Sequence, residues 1–199
     1  MKQSLGPRTL VMPAPVWVVG TYDADGKPNV MTAAWAGICC SKPPAVYVAL
    51  REATYTYHAI HARKAFTVNV PSVDQAVLAD FIGIATGRKT DKFTAAGLTP
   101  VKSESVDAPL VDEFALNLEC SLIHRLEVGL HTLFVGEIVD VQCEEDCLNE
   151  EGRPSIEKLR PLIFGVTKAE YYAVGDLVGS AFDIGKPLME STQDEELQR

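Results

Sequence analysis

Three groups of side chains in this 199-residue chain have types and spacings that could do chemistry. The first is Gly87-Arg88-Lys89-Thr90-Asp91-Lys92-Phe93, which together with Thr94 gathers cations and hydroxyls in an otherwise acidic protein. Such a loop can hold one phosphate group by charge-assisted hydrogen bonds, although a solvated loop is the plainer reading of these residues alone. The second group is His58 and His61, at i, i+3 on one face of a predicted helix. No HExxH pattern surrounds them, so surface or partly packed histidines are expected rather than metal ligands. The third is Cys143 and Cys147 among carboxylates; the other pair that could close a zinc site, Cys39-Cys40, lacks C-x-x-C spacing, and no metal is expected. G-x-G-x-x-G after a strand, the P-loop pattern and the G-x-S-x-G elbow are all absent, which removes the usual signatures of dinucleotide binding, nucleotide hydrolysis and serine hydrolases.

A fourth stretch, Asn29-Val-Met-Thr-Ala-Ala-Trp-Ala-Gly37, carries no obvious chemistry but an odd shape. Thr32, Ala33, Ala34, Ala36 and Gly37 keep the backbone thin around the large ring of Trp35, as a strand would if something flat docked beside it. Taken singly, Trp35 and Phe164 are more often core residues, since most aromatics simply supply buried area.

The elements that must position these residues read as mainly strands. VWVVGTY (16–22) and NVMTAAW (29–35) flank Asp25-Gly26, whose glycine supplies the positive φ of a tight reversal, so the spacing predicts a hairpin. PAVYVAL (44–50) and AFTVNV (65–70) are further strands, separated by a short helix in TYTYHAIHARK with Thr54 as N-cap. SVDQAVLADFIGIAT (72–86) opens on a Ser cap and repeats Val73, Ala76, Val77, Phe81 and Ile84 at helical spacing until Gly87. FALNLECSLIHRLEV (114–128) and HTLFVGEIVDVQC (131–143) alternate at length about Gly129 and predict a second, longer hairpin. PLIFGVTKAEYYAVG (161–175) predicts one last strand. Many strands with few helices fit a β-barrel with helical insertions, not a doubly wound α/β sheet. The expected organisation is one domain over residues 1–187 and a polar tail over 188–199.

Composition narrows the partners. A net charge of −9 repels nucleic acid and anionic membrane surfaces, and no apolar run is long enough to span a bilayer or form a signal peptide. The cytoplasm is the expected compartment, with the five cysteines reduced and mostly buried.

Residues 9 to 187 resemble the flavin reductase-like, FMN-binding split β-barrel family, and within it the flavoredoxin branch. The likeness rests on an ordered set: Pro15-Val-Trp-Val-Val-Gly20, Asn29-Val-Met-Thr-Ala-Ala-Trp35, Cys40-Ser-Lys-Pro-Pro44, Tyr55-Thr-Tyr57, Phe66-Thr-Val-Asn-Val-Pro71, Gly87-Arg-Lys-Thr-Asp-Lys-Phe93, Glu119-Cys120 and His131-Thr-Leu-Phe-Val-Gly-Glu-Ile138. It implies a six-stranded Greek-key barrel that forms a homodimer with one FMN per subunit. Asn29, Val30, Met31, Thr32 and Trp35 would then line the ring edge. Cys39, Cys40 and Ser41 would face the ring or ribityl chain from the next strand, and Arg51, Thr54 and Thr56 would approach the phosphate at a helix start. Lys92 would meet the phosphate or the N1/C2 side of the ring, where a cation favours the reduced anion; His131 and Phe164 complete the set. Two departures bear on activity. Gly129-Leu130-His131 stands where pyridine-nucleotide-dependent members commonly carry Gly-Asp-His, and Thr32-Ala-Ala-Trp35 replaces their Thr-x-x-Ser-Phe. The resemblance therefore implies an electron carrier between redox proteins. The alternatives are an NAD(P)H-dependent flavin reductase and, from a different class, a flavin-free binding or assembly protein on the same barrel.

Overall fold

The computed structural model describes residues 1–189; most of the expected polar tail, 188–199, lies outside them. The chain runs through β1 (Ala14–Pro15), β2 (Trp17–Tyr22), β3 (Pro28–Ala33), β4 (Ala36–Ser41), β5 (Pro44–Leu50), α1 (Tyr55–Arg63), β6 (Ala65–Val70), α2 (Ala76–Ile84) and α3 (Lys92–Ala96). It continues as β7 (Pro100–Lys102), β8 (Pro109–Val111), β9 (Leu116–Val128), β10 (His131–Cys143), α4 (Ile156–Leu159), β11 (Leu162–Gly165) and β12 (Glu170–Ala173).

Seven strands form one antiparallel sheet in the order β3-β2-β6-β9-β10-β5-β4, one strand more than the six that the resemblance implies. The sheet curls on itself. Its inner side chains, among them Val19, Ala33, Ala36, Val48, Phe66, Cys120 and Phe134, come from all seven strands and pack in a single cluster, which a flat sheet could not achieve. Ladder bonding stops between β3 and β4, which follow one another in the chain and are joined by Ala34 and Trp35. The barrel is split there.

β2 is buried on both faces because side chains alternate across a strand. Val19 faces the barrel interior, whereas Val18 packs with Val30, Ile82, Phe93 and Phe114 beneath α2 and α3. On β6, Thr67 and Asn69 point away from the interior and tie down β8: Thr67 Oγ1 donates to the Pro109 carbonyl at 2.6 Å, and the Val111 amide donates to Asn69 Oδ1 at 3.0 Å. Gly20 permits this crossing, since a Cβ there would stand 2.4 Å from the Pro109 carbonyl oxygen.

Several elements depart from the sequence reading. The 29–35 strand ends at Ala33, and Trp35 lies in the turn that follows. The 72–86 helix divides into a 3-10 turn over Val73–Gln75 and α2. Ala79 and Ile82 are buried, while Val77 (85 % exposed) and Ile84 (78 %) face outward. The tighter 3-10 turn rotates the helix, and a helix apolar almost all round does not declare its inner stripe by spacing. Part of the polar loop at 87–97 is α3, started by the Asp91 side chain, which accepts from the Thr94 amide. The single last strand is a hairpin, β11–β12, which joins β1 in a separate three-stranded sheet. Cys120 alone among the five free cysteines is buried; Cys39 and Cys40 are exposed because β4 is an edge strand.

Candidate functional site

Met31, Thr32, Trp35, Arg51, Thr54, His131 and Phe164 converge on one cleft of about 340 Å³, within the usual range for a small-molecule site. The end of β3 supplies Met31 and Thr32, the turn at the split supplies Trp35, and the start of β10 supplies His131. The Trp35 and His131 rings lie parallel within 2°, their centroids 6.2 Å apart. Across the cleft, β11 and β12 present Phe164 and Tyr171, tilted at 58° with centroids 5.7 Å apart. Aromatic faces on two sides, separated by small residues such as Ala33, Ala34, Ala49 and Gly83, form walls suited to a flat conjugated ring.

The loop between β5 and α1 makes a different kind of wall. Thr54 occupies the N-cap position of α1, but its hydroxyl donates back to the Arg51 carbonyl at 2.8 Å and does not cap the helix. No acidic side chain stands in the first turn. The leading amides of α1 are thus left without a side-chain cap, and Arg51 and Thr54, just before them in the chain, line the cleft, a combination that favours an anion.

The other residues singled out in the sequence do not line this cleft. Asn29 and Thr56 are buried and bonded to each other, Nδ2 donating to Oγ1 at 3.1 Å. Gly87 lies against them: a Cβ there would stand 2.3 Å from Asn29 Oδ1. Val30 packs in the second core. Cys39, Cys40 and Ser41 occupy the exposed end of β4, beyond a register shift. Lys92 is buried at the start of α3, not displayed on a loop, and its Nζ donates to the Ile82 carbonyl at 2.7 Å. Burial pushes its ammonium down to about 8. The next residue after that carbonyl is Gly83, which does line the cleft, so Lys92 stands one peptide behind the wall. His58 and His61 are exposed on α1.

Besides apolar lining such as Val16, Ala49 and Leu50, the sequence reading missed Asp80, Gly83 and Tyr171, which α2 and β12 bring to the cleft. Thr32 Oγ1 donates to the Ala79 carbonyl at 2.5 Å and fixes α2 to β3, which sets Asp80 and Gly83 at the cleft. The Tyr171 hydroxyl donates to Asp80 Oδ1 at 3.0 Å. Burial, with the carboxylate as acceptor, pushes the Tyr171 phenol up to about 12. One signal was available: Asp80 is the single charged residue in the otherwise apolar segment Ala76–Ile84.

The chain belongs to the flavin reductase like domain family, which matches residues 8–170. A flavin is therefore the class of cofactor, and the flat-walled cleft with its adjoining anion corner fits one. Among solved structures, flavoredoxin of Desulfovibrio vulgaris (Miyazaki F) is 53 % identical with a TM-score of 0.89, the match covering 93 % of this chain and all of that one. Flavoredoxin from Methanosarcina acetivorans is 32 % identical with a TM-score of 0.86, covering 94 % of this chain and all of that one. A ferric-chelate reductase (NAD(P)H) of Archaeoglobus fulgidus is 33 % identical over 107 residues, 53 % of this chain and 62 % of that protein.

Proposed function

We propose that this protein is a flavoredoxin-like electron carrier that holds one FMN in the cleft and passes electrons between redox proteins. The observation that carries the reading is the pairing of aromatic walls with an uncapped helix start beside Arg51, which provides for a ring and a single phosphate in one molecule. FMN bound there supplies reversible electron uptake. Trp35, His131 and Phe164 enclose its ring and limit water; Arg51 and the first amides of α1 hold its phosphate; Lys92, one peptide behind the wall, offers positive charge to the reduced ring. Asn29 and Thr56 support this wall from behind. Partners are redox proteins with basic docking faces, attracted by the net charge of −9. The active form is a homodimer in the cytoplasm. Support for the dimer comes from the exposed apolar side chains Ile38, Leu126, Val128 and Leu130 on β4 and around the β9–β10 turn, with Cys39, Cys40 and Ser41 on the same edge strand.

The alternative, an NAD(P)H-dependent flavin reductase, draws on the likeness to the ferric-chelate reductase and on His131 at the cleft. The aspartate missing at Gly129-Leu130-His131 weighs against it. The visible spectrum of the purified protein, before and after NADH, separates the readings. A yellow protein that NADH alone leaves oxidised supports the carrier. Steady NADH oxidation with added FMN supports the reductase, and a colourless protein that takes up no FMN overturns both in favour of a flavin-free binding role.

A further inference from the structure

We infer that the hydrogen bond from Tyr171 to Asp80 is a latch that holds the β11–β12 hairpin against α2 and sets how long the cleft retains its flavin. The inference rests on the reading that the cleft holds FMN. The hairpin belongs to the small sheet ordered β1-β11-β12, so among the described residues β12 is its outer strand with no further neighbour. The inner strand is well anchored: the Leu162 amide donates to the Pro71 carbonyl at 2.9 Å, and Leu162 packs with Val16 and Ala79. The outer strand is held by less: its Tyr171 ring packs against the edge of that same cluster. Among the described residues, Tyr171 to Asp80 is the one side-chain hydrogen bond joining β12 to an element outside its hairpin, since Tyr172 bonds to Glu170 within its own strand. Both latch residues line the cleft, and Phe164, which would cover the ring, sits against Tyr171. Opening the hairpin therefore means parting this bond, and parting it loosens one aromatic wall. Tyr171 and Asp80 act as positioning residues.

The test is the rate at which FMN-loaded protein releases its flavin on dilution, followed by recovery of FMN fluorescence. Tyr171→Phe keeps the ring and loses the donor; Asp80→Ala loses the acceptor; Asp80→Asn keeps an acceptor oxygen without the charge. Loss of one solvent-exposed hydrogen bond of this kind corresponds to release about 5- to 10-fold faster. That rise is expected for Tyr171→Phe, for Asp80→Ala and, with no further increase, for the double variant, while Asp80→Asn stays within about twofold of wild type. Hydrogen exchange of residues 162–173 in the flavin-free protein reports the latch by itself and is expected to quicken in Tyr171→Phe. Unchanged exchange and release in Tyr171→Phe, or effects that multiply in the double variant, overturn the latch. Wild-type protein that takes up no FMN while its exchange still responds to Tyr171→Phe overturns the proposed function and the latch's role in retention, leaving only a structural tie.

Discussion

Two buried charges, Glu119 on β9 and Lys92 on α3, have been given opposite surroundings. Glu119 is fully buried, and its carboxylate accepts from the Ser105 amide at 2.7 Å, Gln142 Nε2 at 3.0 Å and the Glu104 amide at 3.3 Å. Lys92 is 4 % exposed, yet of its three donors one is matched, by the Ile82 carbonyl, and among the described residues no carboxylate pairs with it. A buried charge satisfied by its own chain fixes structure, here the loop that carries Glu104 and Ser105 onto the barrel. A buried charge left partly unmatched lowers stability until an anion arrives, and such groups concentrate at functional sites. On the proposed function, the difference separates a strut, Glu119, from a binding group, Lys92, although both residues are buried.

The comparison can be broken in several ways. Glu119→Ala strands three donors, so a stability loss of about 4 kcal/mol is expected by urea unfolding, and a loss under about 1 kcal/mol would dissolve the distinction. The next effect concerns pH. The Lys92 ammonium falls from 10.5 to about 8 on folding, so between those values the unfolded chain binds a proton that the folded chain has released. Stability of the flavin-free protein should therefore rise from pH 8 toward 10.5, by up to about 3 kcal/mol, relative to Lys92→Met. Below pH 8 the cost of the buried charge is fully present, and no relative slope is expected there. Loading with FMN should flatten the rise, because an anion near the amine favours its charged form. Lys92→Met should also weaken FMN binding about 10-fold in a fluorescence titration, a change of about 1.4 kcal/mol, whereas it leaves the fold intact. Smallest is Thr54→Ala. Its hydroxyl serves the Arg51 carbonyl rather than the helix amides, so the loss should stay under about 0.5 kcal/mol, below that of a true cap.

Much of the barrel was legible because β2, β5 and β6 are short runs rich in valine and aromatics that end up largely buried, because β10 alternates in burial as it does in sequence, and because the Asp25-Gly26 turn fixes the first hairpin. β4 escaped the pattern reading, though the resemblance put Cys39, Cys40 and Ser41 on a strand: Ala36–Ser41 has no polar alternation, and its end is exposed on an edge. The cleft was half legible. Trp35 stood out as a large ring among alanines, and Arg51 followed from the family resemblance; both line it. Asp80 and Tyr171 did not stand out, because the contact that gives them meaning spans 91 positions and depends on how α2 is rotated. Lys92 was recognised as a cation but placed in a solvated loop; its burial follows from Phe93 beside it entering the second core, which no local pattern records.

The split between β3 and β4 has a mechanical consequence. Everywhere else around the barrel, neighbouring strands are stitched by a ladder, but at the turn holding Trp35 the backbone is secured by the Ala49 amide donating to the Trp35 carbonyl at 2.7 Å. Breathing at that point costs one backbone hydrogen bond instead of a row of them. The softest line in the sheet thus runs beside the cleft, and Trp35 can yield to an entering ring while the cylinder around it stays stiff.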